Sequence, residues 1–183
     1  TNYYAYDCRD EIKPGKLESF VTNELIAAGN LELNNIACKD EQSINKPISF
    51  TMDFDAEEVV NFSGDLIYVA PVFVEAYDEN PFITEARNFP VDIPFPFSET
   101  YVFGLEIPEG YVVEELPKTE IVEVAGSKVK FTFSCKENNG KVTVISKLNV
   151  IDTFFLQDQY PFIKSFFDKI VEKHASQIVL KKA

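Results

Sequence analysis

Four residues could in principle carry nucleophilic chemistry in this chain: Cys8, Cys38, Cys135 and a single histidine, His174. A thiol nucleophile needs an imidazole to take its proton and an acid to orient the ring. No acidic residue follows His174, because Ala175-Ser176-Gln177-Ile178-Val179-Leu180-Lys181-Lys182-Ala183 contains none, so a Cys…His…Asp chain order is impossible. Ile170 precedes His174 by one helical turn on an apolar stripe, and the expected role of the histidine is that of a helix-terminal or core-edge residue favoured as a cation by the helix dipole. One histidine is also too few for a catalytic zinc site. Cysteine spacings of 30 and 97 residues fit neither paired C-x-x-C motifs nor a disulfide framework, so the thiols read as small buried hydrophobes, with a Cys8–Cys38 bridge as the alternative.

Calcium is the one metal left open, and only weakly. Asp53 and Asp55 point the same way from one predicted strand, with Glu57 and Glu58 after them, and Asp78-Glu79-Asn80 forms a second acidic cluster. Neither matches the D-x-[DN]-x-[DN]-G loop, so a solvated acidic face is expected. Thirty acidic residues always include some pair at a glycosidase-like separation, so counting them is no argument for hydrolysis. The chain has no G-x-S-x-G, Gly-rich phosphate loop or H-E-x-x-H, and no cofactor is expected.

The elements that must position these residues are mostly strands. In Tyr101 to Ile107 the odd positions are apolar, and Val129, Phe131, Phe133 and Cys135 alternate with Lys128, Lys130, Thr132 and Ser134. Asn138-Asn139-Gly140 then allows a tight turn back through Val142, Val144 and Leu148, which predicts a hairpin. Ile48, Phe50, Met52 and Phe54 alternate in the same way. Weaker strand candidates are Tyr3 to Ile12, Leu31 to Cys38, Leu66 to Val69, Tyr111 to Leu116 and Glu120 to Val124.

Helical spacing marks Leu17, Phe20, Val21, Leu25 and Ala28 ahead of Gly29, and, more strongly, Ile163, Phe166, Phe167, Ile170, Val171 and His174, with Asp158 and Pro161 expected in the first turn. Ile178-Val179-Leu180 could add an edge strand. Pro71, Pro81, Pro90, Pro94 and Pro96 make residues 71–98 an extended, poorly paired crossover. The expected fold is mainly β (α+β): an antiparallel, Greek-key-like β-sandwich with an N-terminal and a C-terminal helix. Residues 1–46 are expected to form a lead-in segment and 47–183 the sandwich.

A net charge of −13 over 183 residues works against nucleic-acid and anionic-membrane partners, since no clustered basic face is visible in the sequence. With 45% hydrophobic residues and 17 Phe the chain can bury a large core. No apolar run is long enough to cross a bilayer. The Thr1-Asn2-Tyr3-Tyr4 start has no basic and apolar leader pattern; a chain lacking an initiator Met has lost a leader or is an excised part of something longer, and the second is expected.

Several strings carry a family likeness. Asp65-Leu66-Ile67-Tyr68-Val69, Glu79-Asn80-Pro81-Phe82, Arg87-Asn88-Phe89-Pro90-Val91-Asp92, Ile107-Pro108-Glu109-Gly110-Tyr111 through Glu114-Glu115-Leu116-Pro117, and the ending from Tyr160-Pro161 to Lys182 resemble the C-terminal region of bacterial transglutaminase-like proteins typical of gut bacteria. That likeness runs over most of the chain, best from about residue 46 onward. It implies a domain of unknown function that follows a papain-like core, an accessory role beside that core, and export to the periplasm or cell surface. It implies no catalytic role for Cys8, Cys38, Cys135 or His174, because the core's own triad would lie upstream.

The leading expectation is therefore a non-catalytic domain that packs on, or shapes access to, an upstream core. Its contact surface would come from the crossover aromatics Tyr77, Phe82, Phe89, Phe95 and Phe97, which the bland reading instead places over a sheet edge or in a sandwich end. The alternative function is a surface module that binds peptide or glycan.

Overall fold

The computed structural model of the protein describes residues 8–10, 12, 17–21, 32–55, 59–74 and 76–183. The chain divides into two compact units, Thr1–Val59 and Val60–Ala183. In the first, β1 (Glu32–Lys39) pairs antiparallel with β2 (Ser49–Asp55), with an irregularity between Asn34 and Ala37. The buried Cys8, Phe20 and Val21 pack with the half-buried Ile36, Ile48, Phe50 and Met52, the rings of Phe20 and Phe50 lying 5.8 Å apart. Of the expected N-terminal helix, Leu17–Phe20 forms a turn, and the part through Ala28 and Gly29 lies outside the described residues. The expected strand from Tyr3 to Ile12 lies largely outside them too, and residues 8–10 are helical. The expected boundary at 46/47 differs from that between the units, because β2 finds its ladder on β1 and so belongs with the residues before it.

The second unit is a sandwich of two four-stranded antiparallel sheets. One has the order β6-β10-β9-β8, made by Phe97–Glu106 (β6), Lys141–Val150 (β10), Val129–Asn138 (β9) and Glu120–Glu123 (β8). Three consecutive strands with β6 returning beside β10 form a Greek key. The other sheet has the order β3-β4-β12-β7, from Val60–Ser63 (β3), Leu66–Val69 (β4), Ile178–Lys182 (β12) and Tyr111–Glu115 (β7). The tail strand is thus not an edge. Its alternation Ile178, Leu180 against Val179 supplies a buried face, and both its ladders are filled, by β4 and β7.

The predicted hairpin is present, with Asn138 opposite Lys141 and a two-residue turn in which Asn139 (φ 51°) and Gly140 (φ 77°) both adopt left-handed backbone. That geometry matches strand twist and is open to Asn-Gly at low cost. Within the crossover, Val91–Asp92 (β5) pairs, among the described residues, with Phe154–Phe155 (β11) alone, which fits the proline content. The C-terminal helix, Tyr160–His174, starts at Pro161's turn, later than expected; Asp158 sits before it in a 3-10 turn, where the Gln159 side chain accepts the Leu156 N–H at 2.8 Å.

A single core joins these layers. Ile67, Val69, Ile178 and Leu180 from one sheet, Val129, Phe131, Phe133, Val142 and Val144 from the other, and Ile163, Phe166, Phe167 and Ile170 from the helix belong to one buried cluster. The outer face of the Greek-key sheet gathers Lys130, Lys136, Lys141 and Lys147 with Glu106 and Glu123, a local basic excess that strand pairing creates from residues scattered in sequence. Phe133→Ala should cost about 3–5 kcal/mol, because its side chain is fully buried, whereas Val102→Ala on the outer face should stay within about 0.5 kcal/mol; urea unfolding with an unchanged m-value checks both.

Candidate functional site

The inward row of β10 reads Val142, Val144, Ser146, Leu148, Val150, so one hydroxyl stands in an otherwise apolar file. Strand register puts Tyr101 of β6 and Phe133 of β9 beside Ser146, and Glu99 and Phe131 beside Leu148. The end of the C-terminal helix closes over this point and brings in His174. Lys173 helps to hold that end, its ammonium 2.7 Å from the Glu120 carboxylate at the start of β8 and 3.4 Å from the Lys118 carbonyl. The result is a cavity of about 130 Å³, with Val72, Phe131, Leu148 and Ile170 forming its apolar wall. Its polar side consists of Tyr77, Glu99, Tyr101, Ser146 and His174.

Both ring nitrogens of His174 are engaged. The backbone N–H of Tyr77 donates to Nδ1 at 3.0 Å, and Nε2 lies 2.9 Å from Ser146 Oγ. A backbone N–H can only donate, so Nδ1 carries no proton, and the neutral ring's proton must sit on Nε2 and point at Ser146. Burial pushes the imidazole from its ordinary 6.5 down to about 4, against a weaker opposing pull from the Asp78 carboxylate. The dipole argument for a cation at this position therefore loses to desolvation. It follows that Ser146 accepts a hydrogen bond from the histidine and is not deprotonated by it.

Neighbouring groups are tied in as well. The Tyr77 hydroxyl donates to Glu99 Oε2 at 3.0 Å. Burial raises the Tyr101 phenol, a shift opposed by a hydrogen bond with the Phe73 backbone. Cys135 is buried, and desolvation raises its thiol to about 11, which removes thiolate character at neutral pH. Cys38 is raised by burial, then by Glu41, with Arg9 opposing, and none of the three cysteines is in a disulfide. The bridged alternative for Cys8 and Cys38 is thus not adopted.

The crossover aromatics divide into two groups. Asn80 clips the segment to the C-terminal helix: its amide donates to the Lys164 carbonyl at 2.8 Å and to Asp168 Oδ1 at 2.6 Å, and its own oxygen accepts the Phe82 N–H at 2.8 Å. Lys164 Nζ donates back to the Phe82 carbonyl at 2.6 Å. These bonds turn Tyr77 and Phe82 inward, with ring centroids 5.7 and 5.2 Å from that of Phe167. Phe97 is also half-buried against the core. Only Phe89 and Phe95, 77% and 50% exposed, remain available as surface groups.

Asp53 and Asp55 are exposed on β2 in the first unit, where Asp53 Oδ2 accepts a bond from Asn35 at 3.0 Å; Asp78 is exposed in the second unit. Among the described residues no group of three or more His, Cys, Asp or Glu side chains is placed to hold a metal ion, and Glu57 and Glu58 lie outside those residues. Sequence reasoning passed over Ser146, Glu99 and Tyr101. The available signals were a serine in an apolar inward row and a glutamate at an inward position between Phe97 and Tyr101.

The arrangement defines a class: a Greek-key sandwich whose C-terminal helix caps a small, partly polar cavity. Residues 65–180 match a family described as a domain of unknown function with a solved structure (DUF3858), and the chain belongs to that family. Among solved structures, one described as a "putative protease" from Parabacteroides distasonis ATCC 8503 aligns with a TM-score of 0.47 at 11% identity, covering 54% of this chain and 19% of that one. The chain thus spans under a fifth of the length of that protein. A comparison with curated proteins returns no match.

Two expectations follow. The folded imidazole resists protonation until about pH 4, whereas the unfolded one protonates near 6.5, so the unfolded state takes up the proton first as pH falls. Stability from this residue is therefore full above pH 6.5 and declines down to about pH 4; His174→Gln should flatten this part of the pH–stability curve relative to the parent chain in urea titrations. Phe82→Ala should cost about 2 kcal/mol, since its half-buried ring packs on Phe167 and Tyr160, while Phe89→Ala should shift stability by less than about 0.5 kcal/mol in the same assay.

Proposed function

We propose that this chain is a non-catalytic accessory domain of a larger, exported transglutaminase-like protein, packing on or shaping access to that protein's catalytic core. The observation that carries this reading is the polarity of the His174–Ser146 bond. A base that activates a hydroxyl must present a lone pair to it, and here Tyr77 occupies the lone pair at Nδ1 while Nε2 presents a proton. The Cys135 thiol, strongly raised by burial, is equally unsuited to nucleophilic work. The resemblance of the strings between Asp65 and Lys182 to the C-terminal region of transglutaminase-like proteins supplies the core, the export and the bacterial setting of the proposal.

An apolar surface supports docking. The Tyr160 hydroxyl donates to the Thr84 carbonyl at 2.6 Å, and Gln157 donates to the Asn88 carbonyl, which draws residues 84–88 to the start of the helix. Exposed Ile83 and Phe89 flank these contacts on the loop side, and exposed Leu156 and Phe162 flank them on the helix side. Large exposed hydrophobics on segments tied to one end of a helix are costly to leave in water and suit a protein contact.

Titration of this chain into the separately expressed catalytic region of its parent protein should give saturable association. Phe89→Ser combined with Phe162→Ser should weaken it at least about tenfold, or 1.4 kcal/mol, with the melting temperature unchanged. Peptidase, amidase or transglutaminase turnover by this chain alone, lost on Ser146→Ala, would overturn the proposal.

A further inference from the structure

The cavity beneath the C-terminal helix has a composition of its own. Its walls include the rings of Tyr77, Tyr101 and Phe131 beside the imidazole of His174. The Tyr77 and Phe131 rings stand 5.7 and 5.9 Å from the imidazole, inclined to it by 52° and 63°, so they line a cup and do not stack. Among the described residues, the only formally charged side chain in the lining is Glu99, which is exposed and so sits on the solvent side. Asp78, the charged group that acts on His174, is acidic as well. No lysine or arginine lines the cup among the described residues.

Aromatic faces carry negative electrostatic potential and attract cations, most strongly where water is partly excluded. A carboxylate at the open side adds a directional partner, and the neutral imidazole offers no repulsion to a positive guest. The Tyr77 hydroxyl, donating to Glu99 at 3.0 Å, sets the position of that carboxylate against the cup. The volume, about 130 Å³, is close to the roughly 150 Å³ of an apolar cavity that takes up benzene, which corresponds to five or six non-hydrogen atoms.

We propose that this cavity binds a small organic cation, an alkylammonium group whose nitrogen meets Glu99 and whose hydrocarbon part lies among Tyr77, Tyr101 and Phe131. This goes beyond the accessory role and does not depend on it. A free amine and the side chain of a lysine share the required chemistry, and the two sources are separated by the probes.

The test is a titration of the full chain followed by ¹H–¹⁵N NMR, with n-butylammonium, with Nα-acetyl-lysine methylamide, and with n-butanol as the neutral counterpart of the first. Saturable perturbation at Tyr77, Tyr101, Ser146 and His174 by n-butylammonium is expected, with n-butanol at least about tenfold weaker and Glu99→Gln raising the Kd at least about tenfold. Equal binding of the lysine derivative would identify a peptide side chain as the source, and its exclusion would identify a free amine; both outcomes support the proposal. Equal affinity for the alcohol, unchanged affinity in the Glu99→Gln variant, or no saturable response to n-butylammonium would overturn it. The comparison of amine and alcohol in the parent chain needs no variant and stands whatever the substitution does to folding.

Discussion

The second unit depends on burying one helical stripe, from Ile163 through Ile170 to His174, against the inner faces of two sheets. Apolar residues accomplish most of this by area alone, but the stripe ends on a titratable ring. A buried imidazole stays in a core only if neutral and with both nitrogens satisfied. The Tyr77 N–H and the Ser146 hydroxyl supply the two partners, one from the crossover and one from the centre of the Greek-key sheet. The same two bonds therefore fix the helix end, anchor the start of the crossover, and shape the cavity that lies between them.

This constraint also decides what chemistry is open to the site. A serine, a histidine and a carboxylate near one another invite comparison with a hydrolytic triad, yet the order of donors runs the wrong way. Glu99 accepts the Tyr77 hydroxyl, and Nδ1 of the imidazole is occupied by a backbone amide. What remains is an aromatic, negatively biased cup, and on that lining the proposed binding of a guest rests. The proposed binding and the proposed docking would use two different places: the cup under the last turn of the helix, and the exposed Ile83, Phe89, Leu156 and Phe162 around its first turn.

Where local pattern decides structure, the sequence was readable. The hairpin from Val129 to Val150 and the helix to His174 follow from periods of 2 and 3.6, and Asn139-Gly140 follows from turn chemistry. Non-local pairing was not readable. Ile178-Val179-Leu180 reads as an edge because nothing near it in sequence shows β4 and β7 closing on both sides, and the expected boundary at 46/47 falls ahead of β2 because nothing local shows its ladder on β1. Tyr77 and Phe82 looked like surface groups because their burial depends on Asn80, whose partners lie 84 and 88 residues away. Ser146 was visible as a hydroxyl in an apolar row, but its meaning depends on His174, which arrives from another layer.

The central claim is that His174 is a neutral, Nε2-protonated ring locked between Tyr77 and Ser146. With one histidine in the chain, the ¹⁵N imidazole signals are unambiguous, and a pH titration of a ¹⁵N-histidine-labelled sample reads both tautomer and charge directly. The account predicts a non-protonated Nδ1 and a protonated Nε2 at neutral pH, with the ring staying neutral down to about pH 4. A ring that takes up its second proton near 6.5, or carries its neutral proton on Nδ1, would contradict it and would reopen Ser146 to activation.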